Sequence, residues 1–278
     1  MEAKFIKGIV HHHRKKLLLT YFLVLLEKIG ELSIPFFLGI SIDGLVNHNF
    51  MPLIYLGSIY LIWVLIGTIR HRYDTKTYTN IYNQIVIDII DKDKEQNVSK
   101  TCAHTNLIRE IIDFMEFDMV YITTAIINII GSMIMIWMYS TSVVLLCSMI
   151  MIPVIYLSKS YGSIMKILSH RRNSELEKQV DVISTGNINA TKSHFSMLRL
   201  IQIRISDKEA TNYWQLQVIS LILLIGSLLV IGLNGPVKAG ILVAMWSYLL
   251  TFLGALEIIP YAIQKWSNLH DIVSRIQS

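Results

Sequence analysis

The sequence predicts an all-α membrane protein in which six transmembrane helices carry long cytoplasmic extensions. Three observations lead there. The 278 residues are 53% hydrophobic, with a mean hydropathy of +0.50, and only 16% are charged, against about a quarter in soluble domains. Six apolar runs are long enough to cross a hydrocarbon core about 30 Å thick. Every Lys and Arg except Lys28 and Lys238 falls in the N-terminal segment, the two long connections or the C-terminal tail, so the positive-inside rule puts both termini in the cytoplasm. The net charge of +5 is then accounted for by orientation in a lipid bilayer, and no nucleic-acid partner is expected. Spans use up so much of the chain that one membrane domain is expected over residues 17–278, with no separate globular domain. The expected location is a bacterial inner (plasma) membrane.

Residues 1–16 place Phe5, Ile6, Ile9 and Val10 at helical spacing among Lys4, Lys7, Arg14, Lys15 and Lys16, which predicts an interfacial N-terminal helix in the headgroup layer. Its basic start has no small-residue cleavage site after the apolar run and should stay attached. Span one covers residues 17–44. Span two, 53–69, has no charge. Beyond it Tyr78, Ile81, Tyr82, Ile85 and Ile89 keep an i, i+3/i+4 stripe, so the helix should project into the cytoplasm. Asp91–Asn106 reads as a polar break, and Leu107–Asp118 as an amphipathic return to span three, 119–139. Ser140 and Thr141 make a tight turn into span four, 142–157, adjusted at Pro153. The helical pattern continues through His170–Asp181 to a second polar break, Ser184–Ser193. Met197–Asn212 leads to span five, 215–232; Asn234-Gly235-Pro236 signals a turn, and span six occupies 239–259.

Span one is the unusual one, because it holds Glu27, Lys28 and Glu31. Counted from Leu17, the two acids stand about 15–21 Å along the helix, near the middle of the hydrocarbon. An ionised group there costs on the order of 2.5–3.5 kcal/mol, so these side chains should face protein or water. Glu27, Glu31 and Pro35 recur every four residues and share a face, and Pro35 removes the amide that would bond the Glu31 carbonyl. Lys28 and Glu31 can pair as i, i+3 neighbours, which by itself explains both as a structural ion pair. Glu27 is then left over, with polar groups such as Asn128 available to it. Glu27, Lys28, Glu31, Pro35 and Asn128 are therefore the candidate lining of a substrate or proton pathway, with Glu27 contacting a cationic substrate or carrying a proton. Glu257, near the inner end of span six, reads as interfacial.

The remaining motifs have plainer explanations. Consecutive His11, His12 and His13 point in different directions on a helix and read as a basic cluster. Met133, Met135, Met138, Met149 and Met151 could offer thioethers to Cu(I), but methionine is ordinary packing in a membrane interior. Cys102, His104 and His71 do not follow a zinc spacing. Cys102 falls in a cytoplasmic segment and Cys147 in a span, so no disulfide is expected. Neither a metal nor a cofactor is expected, and no catalytic triad or dyad is apparent.

The string SIPFFLGISIDGLVNHN after span one, with Gly240, Tyr248 and Pro260 in and after span six, resembles the transmembrane domain of ATP-binding-cassette (ABC) exporters. Pro35, Gly39 and Asp43 follow that family's order of Pro, Gly and Asp. The resemblance implies a homodimer or heterodimer of six-helix domains with crossed-over helices, and a substrate cavity between protomers. It also implies coupling segments that meet nucleotide-binding domains, placed here at Asp91, Lys100 and Asn106 and at Ser184, Asn187 and Ser193. No Walker A motif occurs in the chain. Gly235 to Gly240 has the glycine spacing, but Ile241 stands where the phosphate-binding Lys is required. The resulting expectation is a permease subunit that hydrolyses no ATP itself and is driven by a separately encoded ATPase. A proton-coupled transporter of the same membrane fold and a membrane scaffold that transports nothing are the alternatives.

Overall fold

A computed structural model describes residues 8, 11–92, 98–233 and 236–266. Among these, all regular elements are helical: α1 (Arg14–Val46), α2 (Met51–Lys92), α3 (Val98–Asp113), a π-helical turn (Phe114–Asp118), α4 (Met119–Trp137), α5 (Thr141–Glu177), α6 (Gln179–Ser184), α7 (Ile188–Leu233) and α8 (Ala239–Leu256). After a break at Glu257 the last helix resumes and runs to Trp266.

Among the described residues, five segments are long and apolar enough to cross a membrane: Met51–Asp88, Ile108–Trp137, Thr141–Ser184, Ile188–Leu233 and Ala239–Trp266. Helix α1 is not among them. Its 33 residues nevertheless lie against α2, α4 and α8, so it is the sixth member of the bundle by packing rather than by composition. Several helices exceed what a crossing needs. Helix α2 has 42 residues and α7 has 46, where about 20 suffice, and the excess carries the charged residues away from the apolar part. We call that the charged end.

Two tight turns are described at the opposite end. Between α1 and α2, Asn49 donates its amide to the Gly44 carbonyl at 2.8 Å, and His48 takes φ 55°. The chain folds back so closely that a Cβ on Gly44 would stand 2.7 Å from the Asn49 carbonyl oxygen. Between α4 and α5, Ser140 is extended and its hydroxyl accepts from the Val143 amide at 3.4 Å, a long N-cap bond. An extended Lys238 precedes α8.

The main core joins α4, α5, α7 and α8, with Ile136, Val143, Cys147, Leu223, Tyr248 and Phe252 fully buried. Cys147 is free. The charged end has cores of its own. Tyr78 and Ile81 of the predicted stripe are fully buried against Leu17 of α1 and Ile108, Ile111 and Ile112 of α3. Met165 and Leu168 of α5 pack on Ile201 and Ile205 of α7. The stripe beyond span two is thus a packing surface, and each projection is held by a small apolar cluster.

Both polar breaks are shorter than expected. Asp91 is still helical in α2, and Lys100 and Asn106 lie inside α3; the side chain of Lys100 and residues 93–97 are outside the described residues. Ser184 ends α6 and Ser193 is inside α7. The actual turn is Thr185, Gly186 at φ 63°, and Asn187, whose side-chain oxygen accepts from the amides of Asn189 at 3.0 Å and Ala190 at 3.3 Å. Runs of Ser, Thr, Asn and Lys read locally as loop, but here they form solvated helix that the apolar clusters hold in place. Of the predicted N-terminal helix, only Gly8 and residues from His11 on are described.

Candidate functional site

Helices α1 and α2 run antiparallel from the Asn47–Phe50 turn, and this pairing decides where the acids of α1 go. Glu27 lies opposite Gly67 and Arg70. Arg70 donates through Nε to the Glu27 carboxylate and through Nη1 to Asp74 at 2.8 Å. The three side chains are 14%, 21% and 6% exposed for Glu27, Arg70 and Asp74, so the charges are largely withdrawn from solvent and compensate one another. Gly67 leaves the room: a Cβ there would stand 3.2 Å from the Glu27 carboxylate. Lys28 donates to Glu31, as its i, i+3 spacing predicts.

One expectation is corrected by this geometry. Glu27 is not left over, because Arg70, the first charge after the uncharged run Leu53–Ile69, is its partner. A cavity of about 500 Å³ opens beside Glu27 and Lys28, walled by Arg70, His71 and Asp74 of α2, by the π turn, and by Tyr121 and Tyr261. Glu31, Pro35 and Asn128 are not among its lining residues. Asn128 sits one turn further along α4, with its side-chain oxygen buried and without a hydrogen-bond partner among the described residues.

The sequence reading missed the π turn. Phe114, Met115, Glu116 and Asp118 are buried while Phe117 is 57% exposed. Hydrogen bonding one residue further along the chain widens the turn, a device often found at functional positions. It allows Glu116 and Asp118, two apart, to line the same cavity. Asp118 accepts from the Tyr261 hydroxyl and pairs with Lys265 at 3.0 Å, which ties the start of α4 to the end of the last helix. The signal was available in FMEFD, two acids inside an otherwise apolar string.

Among the described residues, no group of three or more His, Cys, Asp and Glu could hold a metal ion. His71 faces the cavity; the Cys102 and His104 side chains lie outside the described residues. Of the His triplet, His13 is buried, and that burial, followed by the neighbouring His12, holds its imidazole below the usual histidine range. Met133, Met135 and Met151 pack on the main core, and Met138 and Met149 are exposed. Glu257 accepts from Gln217 of α7 at 2.7 Å. On the far projection, Glu175 joins His194 at 2.8 Å and Lys178 at 3.0 Å.

The residues that carried the resemblance meet in space. Gly39 of α1 and Gly240 of α8 touch backbone to backbone, and the Asp43 carboxylate accepts the Gly240 amide at 2.8 Å. That amide is in the first turn of α8, where backbone donors have no intrahelical acceptor and a negative charge is favoured. Deeper in the bundle, the fully buried Tyr248 donates its hydroxyl to the Leu32 carbonyl at 2.7 Å, one turn before Pro35. Tyr248→Phe keeps the ring and removes only this bond. Thermal unfolding in detergent should then report a loss of about 1 kcal/mol, and no loss would mean that the hydroxyl has no structural role. Pro260 is buried in the first turn of the helix that resumes after the break at Glu257, where its missing amide costs no bond within that new turn.

Comparison with known families agrees with this arrangement. The profile of the ABC transporter transmembrane region matches residues 6–240. A search of curated proteins finds no match. The match ends on Gly240, at the point where α8 meets Asp43, and it spans well over half of the chain: the protein belongs to the family of ABC transporter transmembrane regions.

Proposed function

We propose that this permease-like membrane subunit moves its substrate by alternating access, as one protomer of a homodimer or heterodimer, and is driven by ATPase domains that are not among these 278 residues. The chain itself would contribute no nucleotide chemistry, since it holds no Walker A motif, and would need no cofactor. The charged end faces the cytoplasm in this reading, because nearly all Lys and Arg sit there. The observation that carries the proposal is the pair of helical projections, α2 with α3 and α5–α6 with α7, on a chain of this family. Each ends in a short break, and each has its own apolar core, so a force applied at the tip reaches the spans through packed helix. Helix α7 alone is 46 residues, about 69 Å long. Ser184 and Asn187 frame the second tip, and Asp91, Lys100 and Asn106 flank the first. To turn a 1:99 ratio of two states into 99:1, the partner must bind one state better by about 5.5 kcal/mol, a demand that a docked ATPase meets by changing its grip on nucleotide.

The test is isolation from native membranes, followed by transport into inverted vesicles. An ATPase should stay bound and uptake should need ATP. Gly186→Val, which forces a β-branched residue to φ 63° at the tip, should cut ATPase retention and uptake by about tenfold or more while the unfolding temperature of the membrane domain holds. A complex without ATPase whose transport collapses with a protonophore would point instead to proton coupling. Absence of both ATPase and transport would point to a scaffold.

A further inference from the structure

The cavity beside Glu27 holds one carboxylate without an ion-pair partner among the described residues, although Arg109 acts on it through space. Glu27 and Asp74 share Arg70, and Asp118 has Lys265 and Tyr261. Glu116 is only 9% exposed, and no hydrogen bond or ion pair reaches it among the described residues. The nearby cations are engaged elsewhere: Lys28 with Glu31, Arg70 as above, and Arg109 with Asp113 at 2.9 Å. His71 also lines the wall, with Tyr121 and Tyr261. With His71 neutral, the carboxylates Glu27, Asp74, Glu116 and Asp118 face Lys28, Arg70 and Lys265, which leaves an excess of negative charge at a partly open cavity. A withdrawn carboxylate of this kind is unfavourable unless a positive charge joins it.

The rest of the wall is suited to such a charge on an organic molecule. Phe117 and Tyr121 are about half exposed at the cavity. Tyr121 and Tyr261 are stacked edge to face with ring centres 5.5 Å apart, and Lys265 already lies 5.3 Å from the centre of the Tyr261 ring. Aromatic faces next to a carboxylate favour ammonium and guanidinium groups over hydrated metal ions. A volume of about 500 Å³ lies within the range of small-molecule sites.

We propose that this cavity binds an organic cation, an ammonium or guanidinium group on a short apolar stem, with Glu116 as its counter-ion. The identification of that cation as transported cargo rests on the permease reading; the binding does not. A free small cation and the basic side chain of a short peptide share this chemistry.

The full chain in detergent is titrated with spermidine and, separately, with an amidated arginine tripeptide, followed by calorimetry and thermal unfolding. At least one probe should bind saturably and raise the unfolding temperature, while inorganic phosphate should not. Glu116→Gln should weaken binding by about tenfold or more. The same variant without ligand should unfold at or above the temperature of the unaltered chain, because a neutral amide needs no counter-ion; a merely structural Glu116 would give a lower temperature. Asp181→Asn, on the far projection, should leave binding intact. Preference for spermidine identifies a free cation, and preference for the tripeptide a peptide side chain; either supports the site. No saturable binding by either probe, or binding indifferent to Glu116→Gln, overturns the site and leaves the permease reading standing. Binding retained with no ATP-dependent uptake of the probe in inverted vesicles overturns the permease reading and leaves the site.

Discussion

Arg70→Met is expected to destabilise the folded protein by about 3–5 kcal/mol, the cost of leaving buried charges without their partner. Methionine keeps much of the stem, so packing changes little and the loss reports the charge. Arg70 serves both Glu27 and Asp74; without it these carboxylates face each other, with Glu116 and Asp118 on the same cavity wall. Glu27→Gln should cost less, because Arg70 keeps Asp74. The triple variant Arg70→Met, Glu27→Leu and Asp74→Leu should recover much of the stability, since apolar residues of similar size often replace a buried ion group without net loss. Lys28→Met provides the comparison at a more exposed pair: Glu31 is 33% exposed, and the change should cost at most about 1 kcal/mol. Denaturant or thermal unfolding in detergent measures all four. If Arg70→Met unfolds with the unaltered chain, Glu27 and Asp74 are not held by Arg70.

Gly240→Val should be the next most damaging single change, at about 2–4 kcal/mol. A Cβ on Gly240 would come within 2.8 Å of the Asp43 carboxylate oxygen and closer still to the Gly39 carbonyl. Backbone cannot swing aside as a long side chain can, so α8 must retreat from α1. That forfeits the Asp43 bond, about 1 kcal/mol, and adds overpacking of about 1–3 kcal/mol. Gly39→Val meets the same obstacle, with the Gly240 carbonyl oxygen 2.6 Å from its Cβ. Gly57→Ala, where nothing lies within 4 Å of the added carbon, should be neutral or slightly stabilising in a helix. Equal effects at Gly57 and Gly240 would show that the α1–α8 approach is not what these glycines are for.

Much of the fold could be read from residue order because it depends on short-range periodicity. Apolar runs marked the spans, and Tyr78 with Ile81 marked a buried stripe on the α2 projection. Lys28 and Glu31 were found as a pair because three residues on one helix are always neighbours. Helix α1 reads as a span despite its three central charges; it is not among the five segments long and apolar enough to cross, and its contacts with α2, α4 and α8 place it in the bundle. The polar breaks were overdrawn because propensity is local while the clusters that extend those helices are not.

Sequence alone determined the membrane class, the helical periodicity and the family pattern of Pro35, Gly39, Asp43 and Gly240, since each is a property of neighbouring residues or of fixed spacing. Tertiary structure decided which acids have partners. Glu27 meets Arg70 across 43 residues, Asp118 meets Tyr261 across 143, and Asp43 meets Gly240 across 197. Antiparallel register between helices and one widened turn at Phe114–Asp118 set those encounters. Charge compensation depends on distance in space, so Glu116, the acid at the site without an ion-pair partner among the described residues, became visible only once the helices were packed.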